Sequence, residues 1–138
     1  MAVLTILDFI AAAGAAIPNT VFGTSNWSLY IHNTAGVVTD EDEVNQTIKL
    51  ICKTIPGSDP LRPEFGCNFL PCLDLPLLQS GPLLRARVTA ALATWEKRIK
   101  VVRVDVTSRK IGVLDIEIVW QYAANSAAPA QTVSFALA

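Results

Sequence analysis

Between Pro56 and Pro82 the chain places six of its eight prolines, at positions 56, 60, 63, 71, 76 and 82, and no other feature restricts its fold as much. Each proline fixes φ and withdraws a backbone N–H, so neither a regular helix nor a central strand is expected to run through this stretch. The same stretch carries Leu61, Phe65, Phe69, Leu70, Leu73, Leu75, Leu77 and Leu78, side chains that gain by packing down. It therefore reads as an ordered, proline-pinned connection between two regular halves.

Upstream, Asp40 stands three residues before Glu43, a capping-box spacing, and Val44, Ile48, Ile51 and Ile55 follow at helical intervals. A helix over 41–54 is expected, stopped by Pro56-Gly57. Downstream, a second helix is expected after Ser80-Gly81-Pro82, with Leu84, Val88, Ala91, Leu92 and Trp95 on its buried face. The period then changes to two. Val102, Val104 and Val106 alternate with polar residues, Ser108 to Gly112 supply a turn, and Leu114, Ile116, Ile118, Trp120 and Tyr122 alternate again. A nine-residue loop over 123–131 leads to a third alternating strand with Val133, Phe135 and Leu137. Helices followed by strands place the chain in the α+β class, with two helices packed on a small antiparallel sheet of C-terminal strands.

At 138 residues the chain fits one domain. Val3, Ile6, Leu7, Ile10 and Ile17 recur at roughly helical spacing and predict an N-terminal helical extension over 1–20. The run lacks a basic segment before it and Asp8 interrupts it, which argues against a signal peptide, and it is too short to span a membrane. Residues 18–36 are the least informative, with one short strand expected around Trp27–Ile31.

Half of the residues are hydrophobic (51%), 17% are charged, and mean hydropathy is +0.41, which points to surface that partners cover. Eight bases, Arg85, Arg87, Lys97, Arg98, Lys100, Arg103, Arg109 and Lys110, crowd a zone holding only two acids, Glu96 and Asp105. Nucleic acid is not the expected counterpart, because the zone lacks aromatic interleaving and a reader motif, and the net charge is −1. Cys52, Cys67 and Cys72 are odd in number and match no disulfide or zinc spacing. His32 is the single histidine. Neither a metal nor a cofactor is expected.

Trp95-Glu96-Lys97-Arg98-Ile99 lies where the second helix gives way to the hairpin. Arg98 offers five donors in a fixed fork, and Glu96 can orient that fork or accept from a partner helix. On residues alone, two solvated charges at a helix exit is the more ordinary reading. Arg62-Pro63-Glu64-Phe65-Gly66 reads as a fixed turn that aims one arginine and buries one ring; Arg62 either braces the connection or reaches a partner.

Two segments, taken together, resemble a known family. The first is Thr54-Ile55-Pro56-Gly57-Ser58-Asp59-Pro60-Leu61-Arg62-Pro63-Glu64-Phe65-Gly66-Cys67, preceded by Glu43-Val44-x-Gln46-x-Ile48; the second is Trp95-Glu96-Lys97-Arg98-Ile99. In this order and separation they resemble the gp25-like baseplate wedge family, which includes protein W of contractile-tailed phages and a baseplate subunit of type VI secretion systems. The resemblance covers about 36–122, leaving 1–20 and the strand at 129–138 outside it. The family's signature at the helix exit is Glu-Pro-Arg, and Lys97 here replaces the proline.

The resemblance implies a structural wedge subunit, six copies around the tail hub, in the virion tail baseplate and assembled in the host bacterial cytoplasm. Glu96, Lys97, Arg98 and Arg62 would bind the helical core bundle of larger wedge proteins. The family also supports the first sheath ring; few charges guard the last strand here, so Thr132, Val133, Ser134 and Phe135 are expected either to accept a strand from the tail sheath protein or to form an edge covered by residues 1–17. No nucleic acid or membrane partner is implied. The enzymatic alternative is a peptidoglycan hydrolase using Glu64 and Glu96, but Arg62 and Arg98, each two residues away, would favour the ionised form of both.

Overall fold

The computed structural model describes residues 26–31, 36–110, 112–124 and 127–138, with the side chain of Arg109 left out. The helix expected near the N-terminus and His32 lie outside the described residues. The chain divides into two compact units, Met1–Gln46 and Thr47–Ala138.

In the first unit, β1 (Trp27–Leu29) and β2 (Val37–Thr39) form an antiparallel ribbon in which Trp27 faces Thr39 and Leu29 faces Val37. β1 is thus shorter than expected, and its partner strand went unread because three residues give no measurable alternation. Helix α1 (Asp40–Lys53) follows at once. Its entry is marked by Asp40 at φ 54, a left-handed conformation that aspartate tolerates, and the Asp40 N–H donates to the Asn26 carbonyl at 3.0 Å. Gln46 stitches the ribbon to the helix: its Oε1 accepts from the Ile31 N–H at 3.2 Å, and its Nε2 donates to Ser28 Oγ at 3.1 Å and the Leu29 carbonyl at 2.9 Å.

In the second unit, Ile48, Ile51 and Cys52 on the end of α1 are buried. The proline block contains more helix than the prolines suggest. Helix α2 (Leu70–Leu73) is a single turn with Pro71 at its start, and α3 (Leu77–Trp95) begins with Pro76 as its N-cap, before rather than after Pro82. Pro71 and Pro76 sit where a helix has no N–H bonds to lose. Pro82 lies further in and does cost one bond, but the buried Ser80, Gly81 and Leu84 around it hold that turn by packing.

The C-terminal sheet runs β3 (Ile99–Lys110), β4 (Val113–Tyr122) and β5 (Gln131–Leu137) in that order, all antiparallel, with α3 against β3. β4 is the central strand, and its Leu114, Ile116, Ile118 and Trp120 are buried as their alternation predicts. β3 departs from its expected phase. Val101 pairs with Trp120 but Arg103 pairs with Val119, so Val102 is an extra residue in a bulge. The bulge turns Val102 out, 56% exposed, while Ile99 before it and Val104 after it are both buried. A second register shift lies between Ser108 and Lys110, residues that belong to the strand rather than to the turn expected there. The class is α+β, with three helices and a second, two-stranded sheet among the described residues. No helix there is long and apolar enough to cross a membrane.

Candidate docking site

The proline-pinned block is held by backbone geometry that only its glycines allow. Gly57, at φ 89, donates its N–H to the Pro63 carbonyl at 2.8 Å, closing the loop on itself. Gly66, at φ 115, lies against the end of α1, where the neighbouring Cys67 N–H donates to the Thr54 carbonyl at 2.9 Å. A Cβ on Gly66 would stand 2.2 Å from that carbonyl oxygen. The spacing of Thr54, Gly57 and Gly66 thus encodes a loop clamped to the helix it follows. Arg87 of α3 pins the same loop, donating to the Asn68 carbonyl at 2.5 Å; nothing in the sequence marks Arg87 for this, since it sits among other bases.

The clamped loop delivers Phe65 to the end of α3. Its ring meets that of Trp95 edge to face, centroids 5.2 Å apart at 69°, and the Arg62 guanidinium stands 5.3 Å from the Phe65 centroid. Arg62 also pairs loosely with Asp59 at 3.9 Å, so this exposed arginine both braces the turn and faces solvent. The two segments singled out in the sequence, thirty residues apart, are therefore in contact. Trp95, expected in the core, is half-buried and lines an open depression of about 330 Å³ together with Glu64, Gly66, Cys67, Ala90 and Thr94.

Glu96 caps α3 at φ −122 and ψ 84, donating its N–H to the Leu92 carbonyl at 2.8 Å. Its side chain is only 6% exposed. Arg98 answers with a bidentate fork, Nε to Oε1 and Nη2 to Oε2, both at 2.7 Å, and its own backbone N–H reaches Oε1 at 3.2 Å. Burial alone would raise the Glu96 pKa, but the hydrogen bonds and charge of Arg98 outweigh it and hold the carboxyl below its usual range. The Arg98 carbonyl accepts from the Ala123 N–H at 2.8 Å, which fixes the base of the arginine to the sheet. Its side chain remains 39% exposed, a guanidinium aimed by a buried carboxylate.

Lys97 is exposed between them. Glu96 already has the extended φ that a residue preceding proline requires. Its ψ of 84 falls short of the value usual before proline, so the exit keeps the proline form only in part.

The other residues named from the sequence lie elsewhere. Thr132 and Ser134 are exposed on β5, Val133 is buried and Phe135 is half-buried; no strand pairs with the outer edge of β5 among the described residues. Glu64 is exposed on the loop, unlike Glu96. Part of the basic zone is internally compensated, with Arg103 at 2.7 Å and Arg85 at 3.8 Å from Asp105. The three cysteines are buried and unpaired by disulfides. Burial, with Cys67 alongside, raises the Cys52 thiol far above its ordinary value, and burial and the adjacent Cys72 push Cys67 up to about 11 despite Arg87. No group of three metal-ligating side chains forms among the described residues.

The profile of a family described as baseplate wedge protein gp25 matches residues 38–127, well over half of the chain. Three solved structures are similar. One, described as a candidate tail lysozyme from Geobacter sulfurreducens, is 26% identical with a TM-score of 0.62, covering 75% of this chain and 97% of its own. A chain of the post-contraction pyocin R2 baseplate is 23% identical with a TM-score of 0.58, covering 70% and 97%. A chain of the type VI secretion baseplate complex is 19% identical with a TM-score of 0.52, covering 68% and 88%. No curated protein is significantly similar to the chain.

Proposed function

The chain belongs to the gp25 family of baseplate wedge proteins, baseplate components of contractile injection systems, and from that premise we propose that it acts as a non-enzymatic wedge subunit docking larger wedge proteins through Glu96 and Arg98. One observation carries this reading: a partly exposed guanidinium held in a bidentate fork by a buried, ionised carboxylate. Such a fork is built for recognition. A guanidinium suits the carbonyls at a helix C-terminus or a carboxylate of a helical core bundle, and its orientation is fixed before the partner arrives, which reduces the entropy lost on binding. Arg62, on the far side of the Phe65–Trp95 contact, adds a second cation to the same corner. Lys97, exposed between the two forked residues, supplies charge without a fixed geometry.

Around a tail hub, six copies in the tail baseplate would present this corner to six core bundles. The subunit would be assembled in the host cytoplasm. The first sheath ring would add a strand at Thr132, Val133, Ser134 and Phe135, a reading supported by an edge strand without charges. Hydrolysis is disfavoured by the same fork. A glycosidase acid must carry a proton at working pH, and Arg98 stabilises the opposite form of Glu96.

The test is co-expression of Arg98→Ala with the larger wedge proteins. The variant is expected to fold and to lose co-purification with them; normal assembly would refute the assignment. Peptidoglycan lysis by the purified protein, abolished in Glu96→Gln, would establish the enzymatic alternative instead.

A further inference from the structure

Residues 70–81, which hold α2 and the first turn of α3, pack with their apolar pattern reversed. Their leucines are Leu70, Leu73, Leu75, Leu77 and Leu78; four are exposed, Leu78 at 89%, and Leu73 is half-buried. The buried positions are Cys72, Ser80 and Gly81, which offer little apolar surface. The stretch therefore gains little from the hydrophobic effect, the main source of local stability. Both of its ends are held. Upstream, Phe69 is buried and the Asn68 carbonyl accepts from Arg87; downstream, Leu84 and Val88 of α3 are buried.

Where the stretch joins the body of α3, three consecutive residues each weaken the helix. Ser80 Oγ is buried with no hydrogen-bond partner among the described residues, which costs the desolvation of a hydroxyl. Gly81 is buried, yet an added Cβ would meet nothing within 4 Å, so packing does not demand glycine where alanine would favour helix. Pro82 has no N–H for the Leu78 carbonyl. A Ser-Gly pair beside a proline is where helices bend or part. Packing from outside, rather than its own backbone, keeps α3 continuous there.

We propose that residues 70–81 form a flap, hinged at Ser80-Gly81-Pro82, that opens while the rest of the second unit stays folded. Opening uncovers Cys72 and frees the leucines to pack in a new direction. Pro71 and Pro76 keep the freed chain stiff, so that it swings about the hinge. The fork at Glu96 and Arg98 lies about 20 Å along α3 from the hinge, and the flap moves without disturbing it. The flap stands on the packing of residues 70–81 and does not depend on which partner the fork meets.

The experiment is labelling of the full chain with iodoacetamide in urea below the unfolding transition, the modified cysteine being identified by mass spectrometry. Cys72 lies in the flap and Cys52 on α1, and both are buried in the closed state. Cys72 is expected to react first, with a urea dependence only a small fraction of that of Cys52, because opening the flap exposes far less surface than global unfolding. Gly81→Ala is expected to slow Cys72 about fivefold by favouring the closed helix. Ala90→Gly, at an exposed position of α3 beyond the hinge, is expected to speed Cys52 about fivefold and to leave Cys72 unchanged, since that part of the helix stays folded when the flap opens. Reaction of Cys72 and Cys52 together, with the same urea dependence, overturns the proposal. So does a Cys72 rate that Gly81→Ala leaves unchanged, or one that Ala90→Gly raises as much as it raises that of Cys52.

Discussion

Replacing Gly66 by alanine tests the account of the proline-pinned block. Two penalties add at this position. At φ 115 a residue with a side chain is strained, at a cost of about 1–3 kcal/mol. The new Cβ would also stand 2.2 Å from the Thr54 carbonyl oxygen, a backbone atom that cannot rotate aside. Relieving that overlap means pulling the loop from α1 and giving up the 2.9 Å bond from Cys67 to Thr54, roughly 1 kcal/mol more. Gly66→Ala is therefore expected to cost about 3 kcal/mol. Gly57→Ala is the internal control. It too sits at positive φ, 89, but nothing lies within 4 Å of its added Cβ, so only the conformational part, about 1–2 kcal/mol, applies. Urea unfolding followed by tryptophan fluorescence reads both as shifts of the midpoint at constant slope. Equal losses in the two variants would refute the close approach of the loop to α1.

Three further outcomes follow from the site and the sheet. Lys97→Pro is expected to retain the fold and to change stability by less than about 1 kcal/mol, since Glu96 already has the φ of a residue before proline while its ψ of 84 falls short of it; a larger loss would show that the exit has left the proline form. Glu96→Gln is expected to cost about 1–3 kcal/mol at pH 7. Because the folded pKa of Glu96 is depressed, its contribution is fully present above the unfolded value and lost as pH falls through the folded one, so unfolding midpoints of the two proteins converge in acid; a gap independent of pH would contradict the fork. Val102→Lys is expected to stay within about 0.5 kcal/mol of the wild type while Val104→Ala costs about 1–3 kcal/mol, and similar losses at both would place the bulge elsewhere.

Periodicity revealed α1, α3 and β4 because each has one long apolar face, and long faces are where burial and pattern agree. It failed where a single residue carried the information. The bulge at Val102 shifts β3 by one position, and a uniform alternation of valines gives no sign of it. The start of α3 was hidden because Pro82 reads as a boundary, whereas packing around Ser80 and Gly81 carries the helix past it. At the site, the fork between Glu96 and Arg98 was legible as a local pair. The contact of Phe65 with Trp95 was not, since it depends on how Gly66 seats the loop on α1, a distance relation that no local spacing expresses. The two segments are linked in sequence only by the resemblance to a family, and the ring contact brings them together in space.

The central claim is that a guanidinium fork aimed by Glu96, and not a positive charge alone, holds the wedge partners. Arg98→Lys keeps the charge and removes the fork, so its co-purification with the larger wedge proteins, beside wild type, is the most direct measurement. The account predicts that the lysine variant folds, retains its sheet by circular dichroism and loses the partners. Retention of the partners at wild-type yield would contradict it.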